Sequence, residues 1–398
     1  MNNPLLSPTN CATYSRWALI LLWTFSLALS FSLALRLSSV FVPNDFDVYL
    51  NASKALLRGE SPYQVPTRLS VSENSSEPFY YLYSPLLAVL LLPLTALSDS
   101  QARMVWSGIS IFSLVGTALA GVKLQLWSAT LAPLVMVFIT ILPFTIDTIT
   151  TGQIDTVILM LFAVGCASLS KPRSLVLGAT VGTATLLKTS PILLLIPLIF
   201  SKETRNAALI AVGCIGAVVL ATGFVWGFDL WIDYLSTITS ISDGGMSWHN
   251  PANRSPAKLI VTAVETVAPS RSPSPSSAMK IATVLLLSPL LVRIFRGPTP
   301  PLLHQFAVVV GAISLCSPIV WYHHLLWLMI PVTIAWRIAS TKVARSIVVV
   351  SALSFGASVA LDIRVAAATS PVGSLAEEWA LVLVAAYFSL TPILLARR

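Results

Sequence analysis

Charged side chains are scarce in this sequence. Its 398 residues include 24 lysines and arginines and 16 aspartates and glutamates, so that 10% of the chain carries charge while 56% is apolar. Soluble domains average about 25% charged and 45–50% apolar residues. A water-soluble fold of this length cannot cover its surface with so few charges, which excludes a secreted enzyme, a cytosolic dinucleotide-binding or barrel enzyme and a disordered adaptor. Cysteine is also sparse. Cys11, Cys166, Cys214 and Cys316 show no CxxC or metal-ligand spacing and three lie in apolar runs, so they read as small core residues, with neither a disulfide framework nor a metal site implied. Asp45 and Asp47 alone would make a thin site for Mg²⁺ or Mn²⁺, and no other acidic motif suits a metal. No metal or other cofactor is expected. The basic residues are scattered and form no stripe, which argues against nucleic acid as a partner despite a net charge of +8. No internal repeat emerges. The apolar stretch within residues 1–35 is too long for a cleavable signal and lacks a small-residue cleavage site.

Long apolar runs are abundant. Those at 17–35, 207–226 and 374–396 approach or exceed the roughly 20 residues that cross a hydrocarbon core. The expectation is an all-α, polytopic membrane protein forming one integral membrane domain over 1–398. Basic flanks mark cytoplasmic ends, which places Lys171, Arg173, Lys202, Arg205, Arg293, Arg296, Arg337, Lys342, Arg345, Arg397 and Arg398 inside. Spans are expected at 17–39, 104–121, 127–142, 153–169, 174–187, 190–200, 207–226, 280–296, 303–318, 321–336, 345–361 and 374–395. That is about 12 (11–13) crossings, with both termini cytoplasmic. Tyr83–Leu97 carries Pro85 and Pro93 and reads as a short re-entrant or tilted piece at the outer face. The run 174–200 is interrupted by Lys188-Thr189-Ser190-Pro191 and reads as a hairpin of two short helices with Lys188 at its outer tip. Two long outer loops remain, 41–82 and 227–279. The first should begin with an amphipathic helix from about Asp45 to Arg58 and turn at Gly59; the second ends in a flexible Ser/Pro connector at 269–275.

Ionisable residues in such a chain are expensive unless they face water, and the unusual ones gather on the outer side. They are Asp45, Asp47, Asp147, Gln153, Asp155, Lys188, His249, Asn253, Arg254, His323 and His324. Singly, most have a bland reading. Asn44 or Asp45 could cap a helix, Asp47 could be a solvated helix end, and the histidine pair could be an interfacial anchor beside Trp321, Tyr322 and Trp327. Adjacent helical histidines point about 100° apart, which suits joint metal ligation poorly. Lys188 is harder to dismiss, because a lysine between apolar arms needs an anion, a carboxylate or water.

Taken in order, several motifs resemble glycosyltransferase family 87. They are Asn44-Asp45-Phe46-Asp47-Val48-Tyr49, Leu57-Arg58-Gly59, Pro62-Tyr63, Tyr83-Ser84-Pro85-Leu86, Gly152-Gln153-Ile154-Asp155, Leu187-Lys188-Thr189-Ser190-Pro191, Asn253-Arg254-Ser255 and Ser317-Pro318-Ile319-Val320-Trp321-Tyr322-His323-His324. The resemblance implies a GT-C membrane enzyme akin to polyprenyl-phosphate-mannose-dependent α-mannosyltransferases and arabinofuranosyltransferases of the mycobacterial envelope. It implies a polyprenyl-phosphate sugar donor, a glycolipid or glycan acceptor, a membrane-lipid environment and a site on the outer face of the cytoplasmic membrane. Asp45 maps onto the general base, with Asp47 a candidate for support. The leaving phosphate needs cations, for which Lys188, His323, His324 and Arg254 are available, with Lys188 and His324 ranked first. Gln153, Asn253 and Tyr83 are candidates to bind sugar or acceptor, and Tyr80, Tyr81, Trp248 and Trp321 could stack on sugar faces. The competing reading is a secondary transporter or lipid flippase, which would also have a dozen spans and broken helices. Related halves and mid-membrane charges would favour it; here the halves differ and the polar residues sit at one face.

Overall fold

The computed structural model describes residues 8–40, 44–67, 80–169, 174–242, 253, 255–296, 301–315, 317 and 320–339, and it contains no β-strand among them. The expected all-α fold forms. In chain order its helices are α1 (Pro8–Ser38), α2 (Asp45–Leu57), α3 (Pro85–Leu91), α4 (Asp99–Lys123), α5 (Ala132–Thr140), α6 (Pro143–Thr151), α7 (Asp155–Leu169), α8 (Ser174–Leu187), α9 (Leu195–Phe200), α10 (Arg205–Trp226), α11 (Asp229–Ser242), α12 (Pro256–Val267), α13 (Pro275–Arg296), α14 (Leu302–Leu315) and α15 (Met329–Ile338). Short 3₁₀ segments at Leu92–Ala96, Ser190–Leu194, Pro269–Arg271 and Tyr322–Leu328 extend or join them. The spans expected at 345–361 and 374–395 lie outside the described residues, as do Lys171, Arg173, Lys342, Arg345, Arg397 and Arg398.

Among the described residues, Arg16–Ser38 of α1, α4 and α10 are each long and apolar enough to cross a membrane alone. Shorter apolar helices, α7, α8 and α14 among them, pack between and beside these. The packing of α8 on α10 depends on small residues. A Cβ built on Gly178 would lie 2.5 Å from the carbonyl oxygen of Ala207, and one on Gly182 would lie 3.0 Å from that of Ala211. Lipid tails are as apolar as leucine, so helices in a bilayer associate through close backbone approach, which small residues permit. The opposite face of α10 exposes Leu209, Leu220 and Phe224, a surface suited to acyl chains.

Two expectations need correction. The segment 127–142 is not a straight span. Helix α5 ends at Thr140, and α6 departs at 66° after Leu142 takes an extended conformation ahead of Pro143. The ring of a proline disfavours a helical residue before it and removes one helical N–H, so the chain bends there. The second correction concerns 227–279, which contains α11, α12 and the start of α13 where a long loop ending in a flexible connector was expected. The spans expected at 190–200 and 321–336 each consist of a 3₁₀ segment followed by a short helix, whereas two local features form as expected. Helix α2 runs to Leu57 and turns at Gly59 with φ +72°, and the α8 segment breaks between Leu187 and Ser190, with Lys188 at the break. Residues 85–96 form a short helical piece, too short to cross as a single straight helix.

Candidate active site

The N-terminus of α2 is the first component of the site. Asn44 caps it: its side-chain carbonyl accepts from the Phe46 N–H at 3.1 Å, while Asp47 Oδ2 accepts from the Asn44 N–H at 2.6 Å, completing a reciprocal capping box. The other carboxylate oxygen of Asp47 accepts from Arg103 of α4. Asp47 is therefore buried and committed on both sides to holding α2 in place, which explains its presence without a catalytic duty. Asp45, two residues earlier, is different. It is partly exposed; Oδ2 accepts from Gln153 Nε2 at 2.7 Å, and Oδ1 has no hydrogen-bond partner among the described residues.

Gln153 reaches Asp45 because the α6–α7 turn lies directly against the start of α2. Gly152 has φ +73°, a left-handed conformation that glycine adopts without strain, and a Cβ there would sit 2.8 Å from both Asn44 Oδ1 and Phe46 Cβ. Trp106 clamps the turn, donating from Nε1 to the Gly152 carbonyl at 3.0 Å while its ring stacks on Phe46 at 5.3 Å. Asn44 Nδ2 adds a bond to the Thr150 carbonyl at 3.3 Å. On its far side, Gln153 Oε1 accepts from Tyr49 Oη at 2.8 Å and from Tyr83 Oη. The two tyrosine rings meet edge-on, 4.8 Å between centroids.

Lys188 and His323 both have carboxylate partners. Lys188 Nζ bonds both oxygens of Asp155, at 3.1 and 3.3 Å, and lies 4.8 Å over the ring of Trp327 and 5.8 Å over that of Tyr83. Trp327 Nε1 in turn donates to the Asp155 carbonyl at 3.2 Å. His323 Nδ1 lies 3.1 Å from Asp147 Oδ2, and its buried Nε2 has no hydrogen-bond partner among the described residues. Burial pushes the Asp45 carboxyl up from 3.8 to about 6; His323, the Gln153 hydrogen bond and Lys188 pull it down, whereas Asp147 pushes it further up.

Of the residues singled out in the sequence, the structure brings together Asp45, Gln153, Tyr83, Lys188 and His323. It gives others different surroundings. His324 Nδ1 accepts the Trp321 N–H at 3.2 Å at the start of the 3₁₀ segment, while His323 faces Asp147. Asn253 is buried, with Oδ1 accepting from the Ser255 and Val320 N–H groups at 3.0 Å each, so its carbonyl fastens two backbone segments. Arg254, Trp248 and His249 lie outside the described residues. Tyr49, Trp106 and Trp327 had no assigned role in the sequence reading, and Asp147 and Asp155 were noted without a partner. One signal was available: a lysine in so apolar a chain needs a counter-ion, and Asp155 heads a neighbouring apolar helix.

A cavity of about 580 Å³ opens at the other end of α7, lined by Leu124, Cys166, Leu169, Leu302, His304 and Arg337 among others. It contains none of the residues gathered around Asp45. Among the described residues, no group of three or more histidine, cysteine, aspartate or glutamate side chains is arranged to hold a metal ion.

The model of glycosyltransferase family 87 matches residues 81–318. No curated protein matches the chain. The family match takes in Tyr83, Gln153, Asp155, Lys188 and Asn253 but stops short of Asp45 on one side and the histidine pair on the other, so the involvement of those three rests on geometry. With an all-helical membrane fold and a match covering more than half of its length, the chain belongs to glycosyltransferase family 87 and is a membrane glycosyltransferase.

Proposed function

We propose that this protein transfers a sugar, mannose first among candidates, from a polyprenyl phosphate to a hydroxyl of a glycolipid or glycan acceptor. The site lies on the outer face of the cytoplasmic membrane, in a GT-C-like domain of about 12 crossings with both termini inside. One observation carries the reading: Asp45 has one oxygen held by Gln153 and the other without a partner among the described residues, within a cluster that also contains Lys188 and His323. Asp45 acts as general base. The acceptor oxygen attacks the anomeric carbon from the face opposite the phosphate, and its proton passes to Asp45 Oδ1. The bond from the anomeric carbon to the phosphate oxygen breaks with its electron pair on that oxygen, so the configuration inverts. The leaving phosphate monoester is stabilised by the Lys188 ammonium, with His323 of the same cluster as a second candidate. Tyr83 lines the sugar position, and no metal takes part. Arg254 remains a further candidate for the phosphate.

The test is incubation of purified protein with radiolabelled polyprenyl-phosphate mannose and a lipid extract from its own source. Labelled lipid or glycan product is expected, with none from the Asp45→Ala protein. Undiminished transfer by Asp45→Ala overturns the base assignment. An inert mannose donor alongside an active arabinose-type donor overturns the choice of sugar.

A further inference from the structure

Gln153 was expected to bind a sugar hydroxyl, but its geometry points elsewhere. The side chain is buried and three groups surround its amide: two tyrosine hydroxyls at Oε1 and a carboxylate at Nε2. An ionised carboxylate only accepts hydrogen bonds, whereas a hydroxyl can donate. With Asp45 ionised, the amide must present its N–H to Asp45 and its carbonyl to the tyrosines. The flipped amide would set two acceptors, Oε1 and Asp45 Oδ2, against each other. We propose that Gln153 is a positioning residue rather than a sugar ligand: Tyr49 and Tyr83 lock its amide in the orientation that donates to Asp45, holding Asp45 as a carboxylate with Oδ1 turned to the acceptor hydroxyl.

This inference deepens the general-base reading above and rests on it for its catalytic meaning. The lock itself is a property of the resting protein. It opposes two effects that favour the protonated acid, burial and the nearby Asp147 carboxylate. The charged and titratable groups facing Asp45 come from the elements packed around it: Tyr49 on α2, Tyr83 ahead of α3, Asp147 on α6, Lys188 after α8 with its partner Asp155 at the start of α7, and His323 on the 3₁₀ segment. Arg103 on α4 is engaged by Asp47. Substitution at Gln153 leaves the charges of all these groups in place, so a shift in the titration of Asp45 reports the amide.

The experiment is an infrared titration of the protonated carboxyl band in purified full-length protein. Each form is recorded against the same form carrying Asp45→Asn, so that only Asp45 contributes. Gln153→Met keeps the length and bulk of the side chain without the amide, and the midpoint is expected to rise by roughly one pH unit. The double variant Tyr49→Phe/Tyr83→Phe keeps both rings and removes the two donors, and its midpoint is expected to rise by a smaller amount. Should the methionine variant not fold, the double variant decides alone. An unchanged midpoint in the folded variants overturns the lock. So does a transfer assay in which Gln153→Met raises KM for the sugar donor equally at all pH values while the acid limb of kcat/KM stays in place, which is what loss of a sugar ligand would do. Because the titration needs no substrate, shifted midpoints together with inert donors would overturn the proposed reaction and leave the lock standing.

Discussion

At its Asp155 end, α7 enters a cluster in which Lys188 faces Asp155, His323 faces Asp147, and Gln153 links Asp45 to two tyrosines. At its Leu169 end the same helix borders about 580 Å³ of open space lined mainly by apolar side chains, with His304 and Arg337 among them. Around Asp45 the polar groups are drawn together, each one costly to leave unpaired away from water. At the other end the mainly apolar lining forfeits contact energy where it faces empty space, and Glu203, His304 and Arg337 interrupt it.

The sharpest way to break this comparison is to remove the free oxygen of Asp45. Asp45→Asn should lower transfer by about 10²- to 10⁴-fold, measured as labelled product per unit time; an equal loss from Arg337→Ala would move the site to the cavity end. Lys188→Met should leave Asp155 buried with an unpaired charge and lower stability by about 3–5 kcal/mol, read from thermal or denaturant unfolding in detergent. Adding Asp155→Asn should restore much of the stability without restoring transfer. Gly152→Ala combines an unfavourable φ with a Cβ pressed against Asn44 and Phe46, and should cost about 1–3 kcal/mol while pulling Gln153 away from Asp45.

A pH effect follows from the raised Asp45 value. The folded carboxyl titrates near 6, above its ordinary 3.8, so this group favours the folded state most at low pH, and that contribution is lost as pH rises from about 4 through 6. Activity runs the other way, because the base works ionised. Transfer should rise about tenfold between pH 5 and pH 7, as fits a single group titrating near 6. The smallest expected effect is Arg337→Ala, which should change the free energy of activation by no more than about 0.5 kcal/mol.

Much of the local fold was legible in the sequence. The α2 start at Asn44, the turn at Gly59 and the break around Lys188 all carry local signatures: a capping residue with an acidic partner three positions on, a glycine that tolerates positive φ, and a proline just after the polar tripeptide Lys188-Thr189-Ser190. The α5–α6 bend had its signal too, in Pro143, but the apolar run on either side masked it. Helices α11 and α12 were missed because Ser/Pro-rich flanks at 269–275 suggested an irregular segment, while the amphipathic stretches before them went unread.

Asp45 and Asp47 show where local reading ends. Both carboxylates stand in the first turn of one helix and could cap it equally well by sequence. Arg103 and Gln153, brought in from two other parts of the chain, separate their duties: Asp47 is used up by the cap and the ion pair, whereas Asp45 keeps an oxygen free. The histidine pair divides in the same way, one ring to a backbone N–H and the other to Asp147.

Composition and hydrophobic run length by themselves determined the solvent of this protein, its helical class and the small set of polar residues worth examining, since the cost of placing charge in lipid is paid residue by residue and is visible in the chain. The tertiary structure alone decided which of those residues face each other. Asp147 and His323 are 176 positions apart and Asp45 and Gln153 are 108 apart, and such pairings arise only when helices pack.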